Sequence, residues 1–271
     1  MNFYNELEEI IKTQNPHDKF VRFYSFYAKY QNNECILEKY FKPKFFEEPS
    51  YASVCKIVPP QVVPKRSNLT TKEGQVNLLH AIAHIEYSAI DLALDAAYRF
   101  QDLPKEYYDD WLEVAEDEIR HFKMLEKLLH KIGANYGDIE VHNSLFEASQ
   151  KTQNLLERMA VVPRYLEANG LDATPLILKK LDRLQKDEIL NELVSSLNVI
   201  LEEEVSHVKK GDKWFEYACQ KEKKDKDIYF QIIDKYYPQG FDRARDINKD
   251  ARLEAGFSCR ELKDIAHKNV C

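Results

Sequence analysis

The stretches VAEDEIRHFKMLEKLL (residues 114–129) and EEEVSHVKKGDKWF (residues 202–215) each contain one Glu-x-x-His step, Glu118 to His121 and Glu204 to His207. Residues three apart on a helix share a side, so each step offers a carboxylate and an imidazole to one point. Both steps lie within apolar stripes of helical period. Around the first run Trp111, Val114/Ala115, Leu125, Leu128/Leu129 and Ile132; around the second run Leu193, Leu197, Ile200/Leu201, Val208 and Trp214/Phe215. With 27 glutamates and eight histidines, about one Glu-x-x-His is expected from composition alone. The placement therefore carries more weight than the motif, because an unpaired carboxylate on a core-facing stripe costs several kcal/mol.

Outward from these stretches, the pattern predicts two further long helices. Thr70 or Thr71 with Glu73 starts the first, whose stripe is Leu79, Ile82, Ile90, Ala93, Ala97 and Phe100, with Glu86 as its only carboxylate. The helix of Glu118 opens at Pro104 and stops at Gly133. After a connection over 134–144, another helix spans about Leu145 to Asn169, kinked at Pro163 and ended by Gly170. It places Glu167 beside its apolar face, with Glu157 as the rival carboxylate. Thr174-Pro175 starts a short linking helix, and the helix of Glu204 runs from about Lys186 to Cys219. Before all this, a short helix from Asn2 to Thr13 leads into aromatic-rich, irregular chain up to Pro64. After it come a short helix to Tyr236, a non-helical segment from Pro238 to Gly256, and a last helix from Ser258.

The order is Glu86, Glu118-x-x-His121, Glu167, Glu204-x-x-His207. A dinuclear site in a four-helix bundle core needs a Glu-x-x-His from two helices and a single Glu from each of the other two. Four carboxylates offset the charge of two divalent ions, and two imidazoles suit iron or manganese better than calcium or magnesium. The fold expected is all-α: a ferritin-like four-helix bundle over 70–219, with an N-terminal extension over 1–69 and a helical tail over 220–271. His84 lies about 200° around its helix from Glu86 and is read not as a ligand but as structural, or as a support to the ligands. Tyr87, Tyr165 and Tyr217 are read as packing.

Composition narrows the classes. The chain has 271 residues, 44% of them hydrophobic, and a net charge of −7, which speaks against nucleic acid or an anionic membrane surface as partner. Five scattered cysteines without a C-x-x-C pair argue against a disulfide framework or a thiolate metal site. No signal-like start or long apolar run is visible, so a cytoplasmic protein with reduced thiols is expected.

Several stretches, HAIAHIEYSAIDLALDAAYRF (80–100), VAEDEIRHFKMLEKLL (114–129), RMAVVPRYLEANGLDATP (158–175) and EEEVSHVKKGDKWF (202–215), together with the tail FDRARDINKDARLEAGF, resemble an uncharacterised bacterial family of ferritin-like proteins. Rubrerythrins and the diiron tRNA hydroxylases are its more distant relatives. The resemblance covers roughly residues 57–257. It implies Glu86, Glu118, His121, Glu167, Glu204 and His207 as metal ligands, and favours Glu167 over Glu157. The rubrerythrin four-cysteine iron site is absent, so an external electron donor is implied. The function expected is an oxygen- or peroxide-dependent diiron oxidoreductase, monomeric or homodimeric, acting with a small-molecule oxidant. The alternatives are a ferroxidase without organic substrate and a tRNA-hydroxylase-like monooxygenase, the latter disfavoured by the acidic balance.

Overall fold

The computed structural model describes residues 1–185 and 187–271, so the expected helix start at Lys186 lies outside the described residues. Among the described residues the chain is all-α and contains no strand, only the isolated bridges Asn2–Ile36 and Ile57–Val141. It divides into two compact units, residues 1–146 and 147–271. No described helix is long and apolar enough to cross a membrane.

In the first unit, α1 (Phe3–Lys12) is capped by Asn2, whose side chain accepts from the Asn5 N–H. Next comes a helix where irregular chain was expected, α2 (Pro16–Gln31), with Asn15 as cap and Pro16 in its first turn. Its signal is an aromatic stripe: Phe20, Phe23, Phe26 and Tyr30 recur every three or four residues, and all are buried. The long helices α3 (Lys72–Arg99) and α4 (Lys105–Lys131) follow as expected and pack on each other. Thr71 caps α3 through the Gly74 N–H, Pro104 precedes α4, and Gly133 closes α4 at φ +77°. The amino-terminal segment is tied to α3 by charge. Lys19 is fully buried, 2.6 Å from Ser50 Oγ and paired with Asp91.

A second tie closes on Glu8 of α1. Lys44 Nζ donates to it at 2.7 Å and Tyr98 Oη at 3.0 Å, and Lys12 joins them. Burial works against this carboxylate, but the three donors outweigh it and hold its pKa down to about 2 from an ordinary 4.5.

In the second unit, α5 (Ser144–Lys151), at the unit boundary, and α6 (Leu155–Val161) take the place of the front of the expected single helix. From Val162 to Glu167 the chain winds as a π-helix, and α7 (Ala168–Leu181) continues from it. Pro163 thus marks a change of winding rather than a simple kink. Gly170 does not end the helix and Thr174-Pro175 does not start one: α7 runs through both, held by buried Ala168, Leu171 and Leu181 and by Asp172, which accepts from Arg252 at 2.6 Å. The helix α8 (Glu188–Glu222) starts at an Asp187 cap. It packs so closely on the π stretch that a Cβ at Gly211 would fall on the Pro163 ring. After it come α9 (Ile228–Tyr236), the unexpected short helix α10 (Lys249–Glu254), and α11 (Cys259–Ala266) with a full Ser258–Glu261 capping box. Against the expectation of reduced thiols, Cys259 is joined to Cys271, their Cα atoms 5.8 Å apart; Cys35, Cys55 and Cys219 are free.

The hub of this unit is Arg164, which has no exposed surface. Its Nε donates to Asp212 of α8 at 2.6 Å and its Nη2 to Glu261 of α11 at 2.7 Å, while Tyr229 and Phe257 stack on its guanidinium. Burial works against the Glu261 carboxylate, yet Arg164 and the Ser258 donors hold its pKa below the usual range.

Two outcomes follow. Arg164→Met leaves two carboxylates in a dry environment without their main counterion and should cost about 3–5 kcal/mol in denaturant unfolding. A loss under about 1 kcal/mol would show that this network does not hold the unit together. The folded pKa of Glu8 lies below its unfolded value, so its stabilisation is present above about pH 4.5 and is lost as pH falls toward 2. Glu8→Gln should therefore be less stable than wild type near neutrality, and the gap should close across that acid window in melts recorded against pH.

Candidate metal centre

Glu86 stands mid-way along α3, and Glu118 and His121 stand one turn apart on α4. The packing of α3 on α4 turns all three inward: Glu86 is 5% exposed, Glu118 1% and His121 not at all. His121 Nδ1 lies 3.1 Å from Glu86 Oε2 and 3.4 Å from Glu118 Oε2. One potential ligand atom from each of the three lies within 4.8 Å of the others. Burial opposes an imidazolium here, but hydrogen bonds to Glu118 and Glu86 outweigh it and hold the His121 pKa up at about 11. The unit thus encloses two carboxylates facing one imidazole with very little water, a donor set of oxygen and nitrogen without sulfur.

Aromatic residues follow two of these groups in the chain. Tyr87, next to Glu86, packs on Phe122 at 5.2 Å and on Tyr136 at 5.3 Å, and Phe122 follows His121 directly. His84 is used structurally, as expected: Tyr136 Oη lies 3.0 Å from its Nδ1, and its Nε2 donates to the His142 carbonyl at 2.9 Å. Tyr165 and Tyr217 also pack against rings, Tyr237 and Trp214 respectively, at 5.1 and 5.3 Å.

The second unit holds the other sequence-derived ligands. Glu204 and His207 lie one turn apart on α8, with His207 Nδ1 3.6 Å from Glu204 Oε1 and the imidazole fully buried. Glu167 is the last residue of the π stretch and is half-buried. Its rival Glu157 is already engaged, by Lys235 at 2.6 Å and Tyr236 Oη at 2.6 Å. Its neighbour Arg158 is buried and donates to Thr152 Oγ1 at 2.9 Å and the Ser149 carbonyl at 2.6 Å. What the sequence reading missed in this unit is Arg164, the residue that anchors the π stretch. Its signal was a lone arginine between apolar neighbours, VVPRYL (161–166), two residues before the half-turn that carries Glu167.

Comparison with known proteins adds the lineage. Residues 12–263 match the family described as "Protein of unknown function (DUF455)". An uncharacterized protein of Haemophilus influenzae (strain Rd) is 37% identical over 272 residues, which covers 96% of this chain and 92% of that relative. No solved structure matches the chain. With nearly its whole length matched by the family and by this relative, the chain belongs to the DUF455 family.

Proposed function

We propose that this protein is a dinuclear metal oxidoreductase that uses dioxygen or peroxide, with iron, or manganese, held by Glu86, Glu118, His121, Glu167, Glu204 and His207. The observation that carries the proposal is the buried Glu86–His121–Glu118 group between α3 and α4. Carboxylates and an imidazole gathered in so dry a space form a donor set that suits a divalent cation. The donors fit the ions named: carboxylates and imidazole suit iron and manganese, and a calcium site would use oxygen alone. The same pairing of Glu and His one turn apart recurs on α8, again with a buried imidazole.

The ferritin-like reading assigns α3, α4, the α6–π–α7 segment and α8 as the bundle helices, with 1–69 and 220–271 as its additions. Bound iron or manganese would supply Lewis acidity and one-electron redox chemistry toward a small oxidant. The protein's own groups have distinct parts in this. The carboxylates offset the ionic charge. His121 Nδ1 and His207 Nδ1, each facing a carboxylate of its own helix, present the nitrogen donors. The aromatic wall of Tyr87, Phe122 and Tyr136 keeps bulk water from the α3–α4 side. Without a cysteine cluster to store electrons, reducing equivalents come from a separate donor.

Protein produced with ample iron should carry about two metal ions per chain by elemental analysis. Glu118→Ala and Glu204→Ala should each lower that content while the helical circular-dichroism signal persists. Absence of bound metal under any supply would sink the reading. Oxygen or peroxide consumption with a chemical reductant should disappear in the same variants. A metal-loaded protein that oxidises only ferrous ion and assembles into a cage would instead mark an iron-handling protein.

A further inference from the structure

On another side of α3 the first unit has a second concave feature. The isolated bridge Ile57–Val141 holds two irregular segments together, through Val58 N–H to the Val141 carbonyl at 2.8 Å and Val141 N–H to the Lys56 carbonyl at 3.0 Å. Between these segments and the α3 ridge of Asn77, His80/Ala81 and His84/Ile85 lies a cleft of about 330 Å³, within the range of small-molecule sites. The ridge has the i, i+3, i+4 spacing of one helix face, and Glu86 points elsewhere.

Three features of the lining define what it would hold. First, its charge is one-sided. The acidic residue, Glu140, is taken by Lys56 at 3.1 Å, whereas the side chains of Lys65 and Arg66 form no ion pair with any described residue. Second, the floor holds a buried donor. His80, 1% exposed, accepts the Gly137 N–H at Nε2 at 2.9 Å. Burial pushes its pKa down to about 4, so the neutral ring, accepting at Nε2, carries its one proton on Nδ1. Third, the walls are apolar. Val63, Pro64 and Ile85 line the cleft, and Ile85 is 41% exposed in the middle of an otherwise well-buried helix.

We propose that this cleft binds a small organic anion, its carboxylate or phosphate head held by Lys65, Arg66 and the His80 Nδ1–H, and its apolar body against Val63, Pro64 and Ile85. The inference does not depend on the metal reading, since none of these residues belongs to the ligand set.

The test is calorimetric titration of the full chain with phenyl phosphate, benzoate and inorganic phosphate near neutral pH. At least one of the two organic anions should bind saturably, one per chain, and more tightly than inorganic phosphate. The tighter of the two identifies the head group as phosphoryl or carboxylate. Replacing both exposed cations, Lys65→Ala with Arg66→Ala, should weaken binding about tenfold or more. Ile85→Glu, which adds a repelling carboxylate at an exposed position, should abolish it without changing the thermal melt. The proposal is overturned if neither organic anion binds, if inorganic phosphate binds as tightly as both, or if the double replacement leaves affinity unchanged.

Discussion

Two carboxylates facing one imidazole between α3 and α4 set the strictest condition on this molecule. Glu86, Glu118 and His121 are all but removed from solvent. A dry space tolerates such charge only when it is compensated. Part of that compensation is local, through the hydrogen bonds His121 makes with Glu86 and Glu118. Much of the first unit keeps that space dry and rigid. The caps at Thr71 and Gly133 fix two helix ends. The Lys19–Asp91 and Glu8 ties hold the amino-terminal helices in place, and Tyr87, Phe122 and Tyr136 pack ring on ring.

The parts of the fold that were legible in the sequence share a cause. In α3 and α4 the apolar spacing, the starting Thr or Pro and the stopping Gly all point the same way, and the inward positions of Glu86, Glu118 and His121 follow from that stripe. The short helices α1, α9 and α11 were legible for similar reasons. The misreading of α2 came from treating aromatic density as irregularity, although Phe20, Phe23, Phe26 and Tyr30 have helical spacing once the Asn15-Pro16 start is noticed. Around residues 144–181 the local signals misled, because Gly170 and Pro175 are overruled by tertiary contacts: the burial of Leu171 and Leu181 and the Asp172–Arg252 pair. The Cys259–Cys271 link joins two residues in a count that had looked merely odd.

The two candidate sites differ in how much the sequence reveals of them. A Glu-x-x-His step lies within a single helix, so its spacing and its place on an apolar stripe are visible in the sequence. The cleft over His80, Lys65 and Arg66 is assembled from a helix face and two irregular segments that meet through one bridge, and no periodicity records that meeting. His80 and His84 sit four residues apart and look alike in the sequence. In the fold, His84 has both nitrogens engaged, whereas His80 accepts the Gly137 N–H at Nε2 and lines the cleft.

The π-helical stretch from Val162 to Glu167 is in effect one residue inserted into an α-helix. Such an insertion turns everything on its carboxyl side by about 100° relative to everything before it. Glu167 is therefore phased to Ala168 and Leu171 but not to Leu156 and Met159, and a helical wheel drawn across Pro163 misplaces one half or the other. A one-residue deletion there would leave Glu167 in the chain yet swing its carboxylate by a quarter turn or more. The geometry of this segment is thus set by chain length as much as by residue identity. A length change between Val161 and Glu167 in a relative would be a sharper sign of altered chemistry than most substitutions in the same helix.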